Sequence, residues 1–220
     1  ASGGGRVDFG ILKRSHRVWT SDCNDALERQ IIQHGFSLFF PPEIMGSHVG
    51  PAQSHTTGRR LSLDFRGLTA FGGHLGLELD LRELVTEEAR WLKSLIDAHK
   101  THRQLLHTGR YLRLSPCDPR RLGWGVVDPK GDEAIFALMQ LATPGPGASP
   151  RVRLPGLDPK RRYQITPLLP INGGTEVFPL PSPPWTAEGL TATGQLLTTA
   201  GIHFVLTNPA TGILLKAAAI

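Results

Sequence analysis

The chain has 220 residues, 40% of them hydrophobic and 20% charged, the balance of one large or two small folded domains rather than a disordered segment. The net charge is +5, but the basic residues are scattered in groups no longer than Lys160-Arg161-Arg162, without the clustering and aromatic interleaving of a nucleic-acid groove. No apolar run is long enough to span a bilayer, no leader-like pattern opens the chain, and two distant cysteines, Cys23 and Cys117, suit a reduced, cytoplasmic protein. Neither nucleic acid nor a membrane is therefore expected as a partner.

The sequence begins at Ala1 in a glycine-rich loop, residues 1–10, an opening that reads as a fragment of a longer protein. The loop is no phosphate loop, because no Gly-Lys-Ser/Thr follows. Val18–Ser21 reads as a short strand and Asp25–His34 as a helix closed by Gly35. Two carboxylates, Asp22 and Asp25, lie where strand hands over to helix. Residue type leaves two roles open there: capping the first helical turn, or acid catalysis at the C-terminal end of a barrel strand.

Phe36–Phe40 reads as a second, buried strand cut off by Pro41-Pro42, completing a βαβ rhythm. Residues 43–60 read as a long polar loop carrying His48 and His55, which do not make a metal site by their spacing. A helix is expected over residues 63–71 and a strand over Leu75–Asp80. The longest helix starts at Thr86 with Glu87 and Glu88 in its first turn, presents Ala89, Leu92, Leu95 and Ile96 on one face, and stops at Gly109. Trp91 reads as packing.

From Tyr111 the runs become short, β-rich and punctuated by Gly and Pro. Strands are expected at 111–114, 125–127, 134–141, 151–154, 163–166, 202–206 and 213–216, with loops at 143–150 and 167–185. That spacing points to an antiparallel β-sandwich.

Three segments together resemble a known family. They are Gly3-Gly4-Gly5-Arg6-Val7-Asp8-Phe9-Gly10 followed by Trp19-Thr20-Ser21-Asp22-Cys23-Asn24-Asp25-Ala26; Phe39-Phe40-Pro41-Pro42-Glu43-Ile44-Met45-Gly46-Ser47-His48-Val49-Gly50, leading to Thr57-Gly58-Arg59; and Phe71-Gly72-Gly73-His74-Leu75-Gly76-Leu77-Glu78-Leu79-Asp80. These look like the C-terminal part of the microbial α-galactosidases of glycoside hydrolase family 36, the melibiase or raffinase type. Cys23-Asn24 stands where the family has Asn-Thr.

The resemblance implies α/β plus all-β architecture: residues 1–109 as the C-terminal portion of a (β/α)8 TIM barrel, and 110–220 as a C-terminal β-sandwich. It implies that Asp22 is the general acid/base of a retaining hydrolase and a substrate-binding residue. It also implies that Gly3 lines the galactose pocket, with Arg6, Trp19 and Asp25 in support. The family's nucleophile belongs to a Lys-Trp-Asp strand, which these 220 residues lack, so the fragment alone is expected to be inactive.

The expected partners are α-galactoside oligosaccharides such as melibiose and raffinose, and the full-length enzyme is expected to be a homotetramer by resemblance. Two carboxylates suffice for the reaction, so no metal or organic cofactor is expected. A galactosyl-transferring enzyme and a non-catalytic carbohydrate-binding module are the alternatives that the residues leave open.

Overall fold

The computed structural model describes residues 7–114, 118–145, 151–169, 184–203 and 208–220. Gly3, Arg6 and Cys117 lie outside them, as do residues 146–150, 170–183 and 204–206 of the expected loops and strand. The chain divides into two compact units, residues 1–107 and 108–220.

The first unit is a βα alternation around a three-stranded parallel sheet. A short helix α1 (Phe9–Leu12), capped by Asp8, leads to β1 (Val18–Trp19), α2 (Ala26–Phe36), β2 (Met45–Val49), α3 (Leu63–Ala70), β3 (His74–Leu77) and α4 (Thr86–Thr108). The strands lie in the order β1-β2-β3, with Trp19 beside Gly46 and His48 beside Gly76.

Three expectations fail here. The second strand is Met45–Val49, inside the expected loop, whereas Phe36–Phe40 is the end of a helix and a turn. Gly35 does not stop α2. A glycine ends a helix by taking positive φ, and Gly35 is not among the described glycines that do. The apolar run 36–40 is only partly buried: Phe39 is 76% and Leu38 57% exposed, and the Phe36 and Phe40 rings rest on each other 5.2 Å apart. β2, by contrast, is buried, but Gly46, Ser47 and His48 separate its two buried apolar residues, Met45 and Val49. Gly46 leaves room for the Trp19 ring, and Ser47 is fully buried because Gln33 donates to its hydroxyl while Ser47 donates to the Thr69 carbonyl. Burial here rests on small size and satisfied polar groups, which a search for apolar runs does not see.

The buried face of α4 carries Trp91, Leu92, Leu95, His99, His102 and Leu106, while Ala89 is exposed. Trp91 and Leu95 fit against Gly67 of α3, where an added Cβ would lie 2.7 Å from the indole. Asp80 ends no strand; it caps the turn Leu81–Glu83 and pairs with Arg82.

The second unit is built on a six-stranded antiparallel sheet. Its strands are β4 (Arg110–Leu114), β5 (Arg121–Val127), β6 (Glu133–Gln140), β8 (Arg162–Pro167), β9 (Leu190–Thr193) and β11 (Thr211–Ala219), in the order β4-β5-β6-β11-β8-β9. The short β7 (Arg151–Val152) and β10 (Ile202–His203) form a separate two-stranded ladder, and short helices α5 (Trp185–Glu188) and α6 (Gly194–Thr199) flank β9. Sequence reading missed β9 and both helices.

One core joins Phe136, Leu138, Tyr163, Ile165, Ile213 and Leu215 of the large sheet to Val152, Leu154, Leu197 and Ile202 outside it. Tyr163 is fully buried, and its hydroxyl donates to the Gly131 carbonyl and accepts from the Asp158 N–H, so no polar atom is stranded. β6 is buried along nearly all its length and hence reads as a continuous apolar run.

Candidate active site

The segment Thr20–Asp25 joins the C-terminal end of β1 to α2, the position at which open parallel α/β sheets present chemistry. Asp22 is the exposed apex of this segment. The backbone turns tightly beneath it: the Cys23 N–H donates to the Ser21 hydroxyl at 3.1 Å, a hydroxyl-closed turn. Below the turn lies Arg29 of α2, which is 1% exposed. Its Nη1 donates to the Ser21 and Cys23 carbonyls at 2.9 Å each, and its Nη2 to the Thr20 hydroxyl at 3.2 Å and the Gly46 carbonyl of β2 at 3.5 Å. The guanidinium carbon lies 4.4 Å from the Trp19 ring centroid.

Asp25 takes the capping role. Fully buried, it caps α2 by accepting from the Leu27 and Glu28 N–H groups through Oδ1. Its Oδ2 accepts from the Thr57 hydroxyl and from Arg59 Nη1, the latter at 2.7 Å. Burial pushes the Asp25 pKa up, but the bonds from Thr57, Leu27, Glu28 and Arg59 together bring it below its ordinary value. Thr57 and Arg59 belong to the loop after β2, so Asp25 ties the two loops together. Further ties are the Ser54 hydroxyl donating to Asn24 Oδ1 at 3.0 Å and the Cys23 thiol against the Thr56 hydroxyl at 3.3 Å.

Beside Trp19 and Arg29, the C-terminal ends of β2 and β3 add groups that sequence reading did not bring together. His48 packs 4.4 Å from the Trp19 ring centroid, and its Nδ1 lies 3.7 Å from a Glu78 carboxylate oxygen. Burial lowers the His48 pKa, partly offset by Glu78 and reinforced by Arg29. The ring occupies the space a Cβ on Gly76 would need, 2.4 Å from the nearest ring atom. Within the described part of the site, the structure thus gathers Trp19, Asp22 and Asp25 with Arg29, His48 and Glu78, while His55 is exposed in the loop after β2. No sequence signal marks Arg29 as buried. His48 and Glu78 become visible only once β2 is placed at 45–49.

A separate cavity of about 340 Å³ is lined by Arg17, His74, His99, Lys100, Arg103 and His107 among others, and by no residue of the Thr20–Asp25 segment. Among the described residues no group of three or more His, Cys, Asp or Glu side chains is placed to hold a metal ion.

Residues 1–109 match the protein-family model described as Melibiase, and residues 122–214 match that of the glycosyl hydrolase family 36 C-terminal domain. The chain belongs to glycoside hydrolase family 36. An Escherichia coli α-galactosidase is 42% identical over 221 residues, covering 98% of this chain and 31% of that protein. The α-galactosidase AgaA of Geobacillus stearothermophilus is 36% identical over 179 residues, 81% of this chain and 24% of that protein.

Among solved family 36 structures, the galactosidase domain of the α-galactosidase–sucrose kinase AgaSK superposes with a TM-score of 0.84 at 31% identity, over 99% of this chain and 28% of that one. An AgaA variant from Geobacillus stearothermophilus in complex with raffinose superposes with a TM-score of 0.82 at 30% identity, with the same coverage. The chain thus spans about a third or less of the length of these family 36 relatives.

Proposed function

We propose that this chain is the C-terminal portion of a retaining α-galactosidase that removes terminal α-galactosyl residues from melibiose- and raffinose-type oligosaccharides. The observation that carries the reading is Asp22: an exposed carboxyl at the apex of a braced turn, at the C-terminal end of a parallel strand, with the neighbouring carboxylate Asp25 already committed to capping and loop tethering. In this reading the first unit is the last part of a (β/α)8 barrel and the second a C-terminal β-sandwich. The family assignment and the raffinose complex of the AgaA variant support the substrate class.

The chemistry requires two carboxyl groups about 5–5.5 Å apart. The nucleophile, supplied by a Lys-Trp-Asp strand outside these 220 residues, attacks the anomeric carbon as the glycosidic C–O bond breaks. Asp22 gives its proton to the departing oxygen, and no charge is left on the leaving sugar. Asp22, now a carboxylate, takes a proton from water as that water attacks the galactosyl-enzyme. Galactose leaves with its configuration retained and Asp22 is protonated again. A cytoplasmic, homo-oligomeric enzyme completes the proposal, supported by the cysteine usage and by the resemblance.

The test is a graft. Replacing the matching stretch of the Escherichia coli α-galactosidase with this chain is expected to give a hybrid that hydrolyses melibiose and raffinose. A folded hybrid with no turnover of either sugar, or of an aryl α-galactoside, contradicts the proposal.

A further inference from the structure

We propose that Arg29 is a positioning residue for proton transfer, holding the Asp22 carboxyl in register with the glycosidic oxygen. The inference rests on the acid/base reading of Asp22 and goes beyond it by naming what fixes that group in place.

The Ser21 and Cys23 carbonyls, one on either side of Asp22, both accept from the same Arg29 nitrogen at 2.9 Å. One point thus holds the Ser21–Asp22 and Cys23–Asn24 peptides, which bracket the Asp22–Cys23 link and restrict the backbone at Asp22. The turn bond from the Cys23 N–H to the Ser21 hydroxyl restricts it further, and the side chain is left on the exposed side. The second guanidinium nitrogen ties this platform to the Thr20 hydroxyl and, through the Gly46 carbonyl, to the neighbouring strand β2. The guanidinium also lies over the Trp19 ring. Only a planar group with several donors in fixed directions can make these bonds together, which a lysine ammonium cannot reproduce.

The energetics point the same way. Burying a cation is costly unless its surroundings compensate. Among the described residues the guanidinium bonds only to neutral oxygens, three of them in the Thr20–Cys23 segment, and its Nε has no hydrogen-bond partner. A merely apolar contact between α2 and the sheet could be made by leucine without that cost. Arg29 concentrates its bonds on the segment that carries Asp22.

Leaving-group dependence separates positioning from plain structural support. A proton donor matters for a sugar leaving group and hardly at all for a dinitrophenolate. In the grafted enzyme, Arg29→Lys is expected to lower kcat/KM for melibiose about 10- to 100-fold more than kcat/KM for 2,4-dinitrophenyl α-galactoside, since small misplacement of a catalytic group can cost on the order of a hundredfold. An equal fall on both substrates, or no fall, overturns the role of Arg29.

Asp22→Ala runs in parallel. If it shows the leaving-group dependence and Arg29→Lys does not, the positioning claim alone has failed. If Asp22→Ala lacks it, the acid/base reading has failed and takes the inference with it. Should Arg29→Lys not fold, Thr20→Val removes one acceptor at nearly constant volume. It is expected to shift the same ratio about two- to fivefold, the scale of one neutral hydrogen bond, and an unchanged ratio overturns the claim.

Discussion

Asp25 has no exposed surface, yet its carboxylate takes hydrogen bonds from the start of α2 and from the loop after β2. Burial alone would raise its pKa; the bonds outweigh it, so the folded-state value is lower than the ordinary 3.8. A lowered carboxylate pKa stabilises the fold at pH values above that ordinary value, and the contribution is lost as pH falls through the folded-state value. Asp25→Ala is therefore expected to cost about 1–3 kcal/mol at pH 7, from a lost cap and stranded donors. In urea titrations the gap between wild type and variant should close below about pH 3.8. A gap that persists unchanged into acid would contradict the assignment. The pair Asp22 and Asp25 was legible as two carboxylates at a strand–helix junction, and the capping role follows from residue type. What divides the roles is tertiary: Thr57 and Arg59 are more than thirty residues away.

At the scale of elements, two close approaches set the geometry of the first unit. Gly67 lets α3 meet Trp91 and Leu95 of α4, and Gly76 makes room on β3 for the His48 ring. Gly67→Ala forces the indole to shift and is expected to cost about 1–3 kcal/mol, as overpacked sites do, seen as a lower unfolding midpoint. Thermal stability within experimental error of wild type would contradict the packing.

The histidines of β3 and α4 add a pH dependence. Burial, aided by neighbouring positive groups, lowers the His107 pKa to about 4, and burial also lowers those of His74 and His99. Both states are neutral well above 6.5. As pH falls, the unfolded chain takes up protons that the folded one refuses, so stability is lost between about pH 6.5 and 4. Replacing His107 by Phe should flatten that loss in thermal scans from pH 7 to 5. A slope equal to wild type would contradict the contribution of His107.

The long helix α4 and most strands of the second unit were legible because their apolar periods are strong. β2 was not, because Gly46, Ser47 and His48 interrupt its apolar pattern between Met45 and Val49, and Ser47 is buried through its hydrogen-bond partners. Phe36–Phe40 misled for the converse reason, being aromatic yet largely outside the core.

At the scale of the whole molecule, a parallel α/β unit bearing Asp22 and an antiparallel β unit together form one contiguous part of a family 36 protein. On the proposed function, the chain holds the acid/base but not the nucleophile and cannot form the galactosyl-enzyme. The 220-residue chain alone is accordingly expected to release no galactose above a blank, and clear turnover would overturn the division of roles. The family was legible because the Trp-Thr-Ser-Asp segment and its two companions are specific; the interior bracing by Arg29 was not, since helical periodicity does not reveal which side chains turn back toward the loop.

The most direct measurement is azide rescue of Asp22→Ala in the grafted enzyme, acting on 2,4-dinitrophenyl α-galactoside. If Asp22 is the acid/base, the activated substrate still forms the galactosyl-enzyme, azide needs no general base to attack it, and the product is α-galactosyl azide. Absence of rescue, or formation of the β-galactosyl azide expected when a nucleophile is removed, would contradict the account.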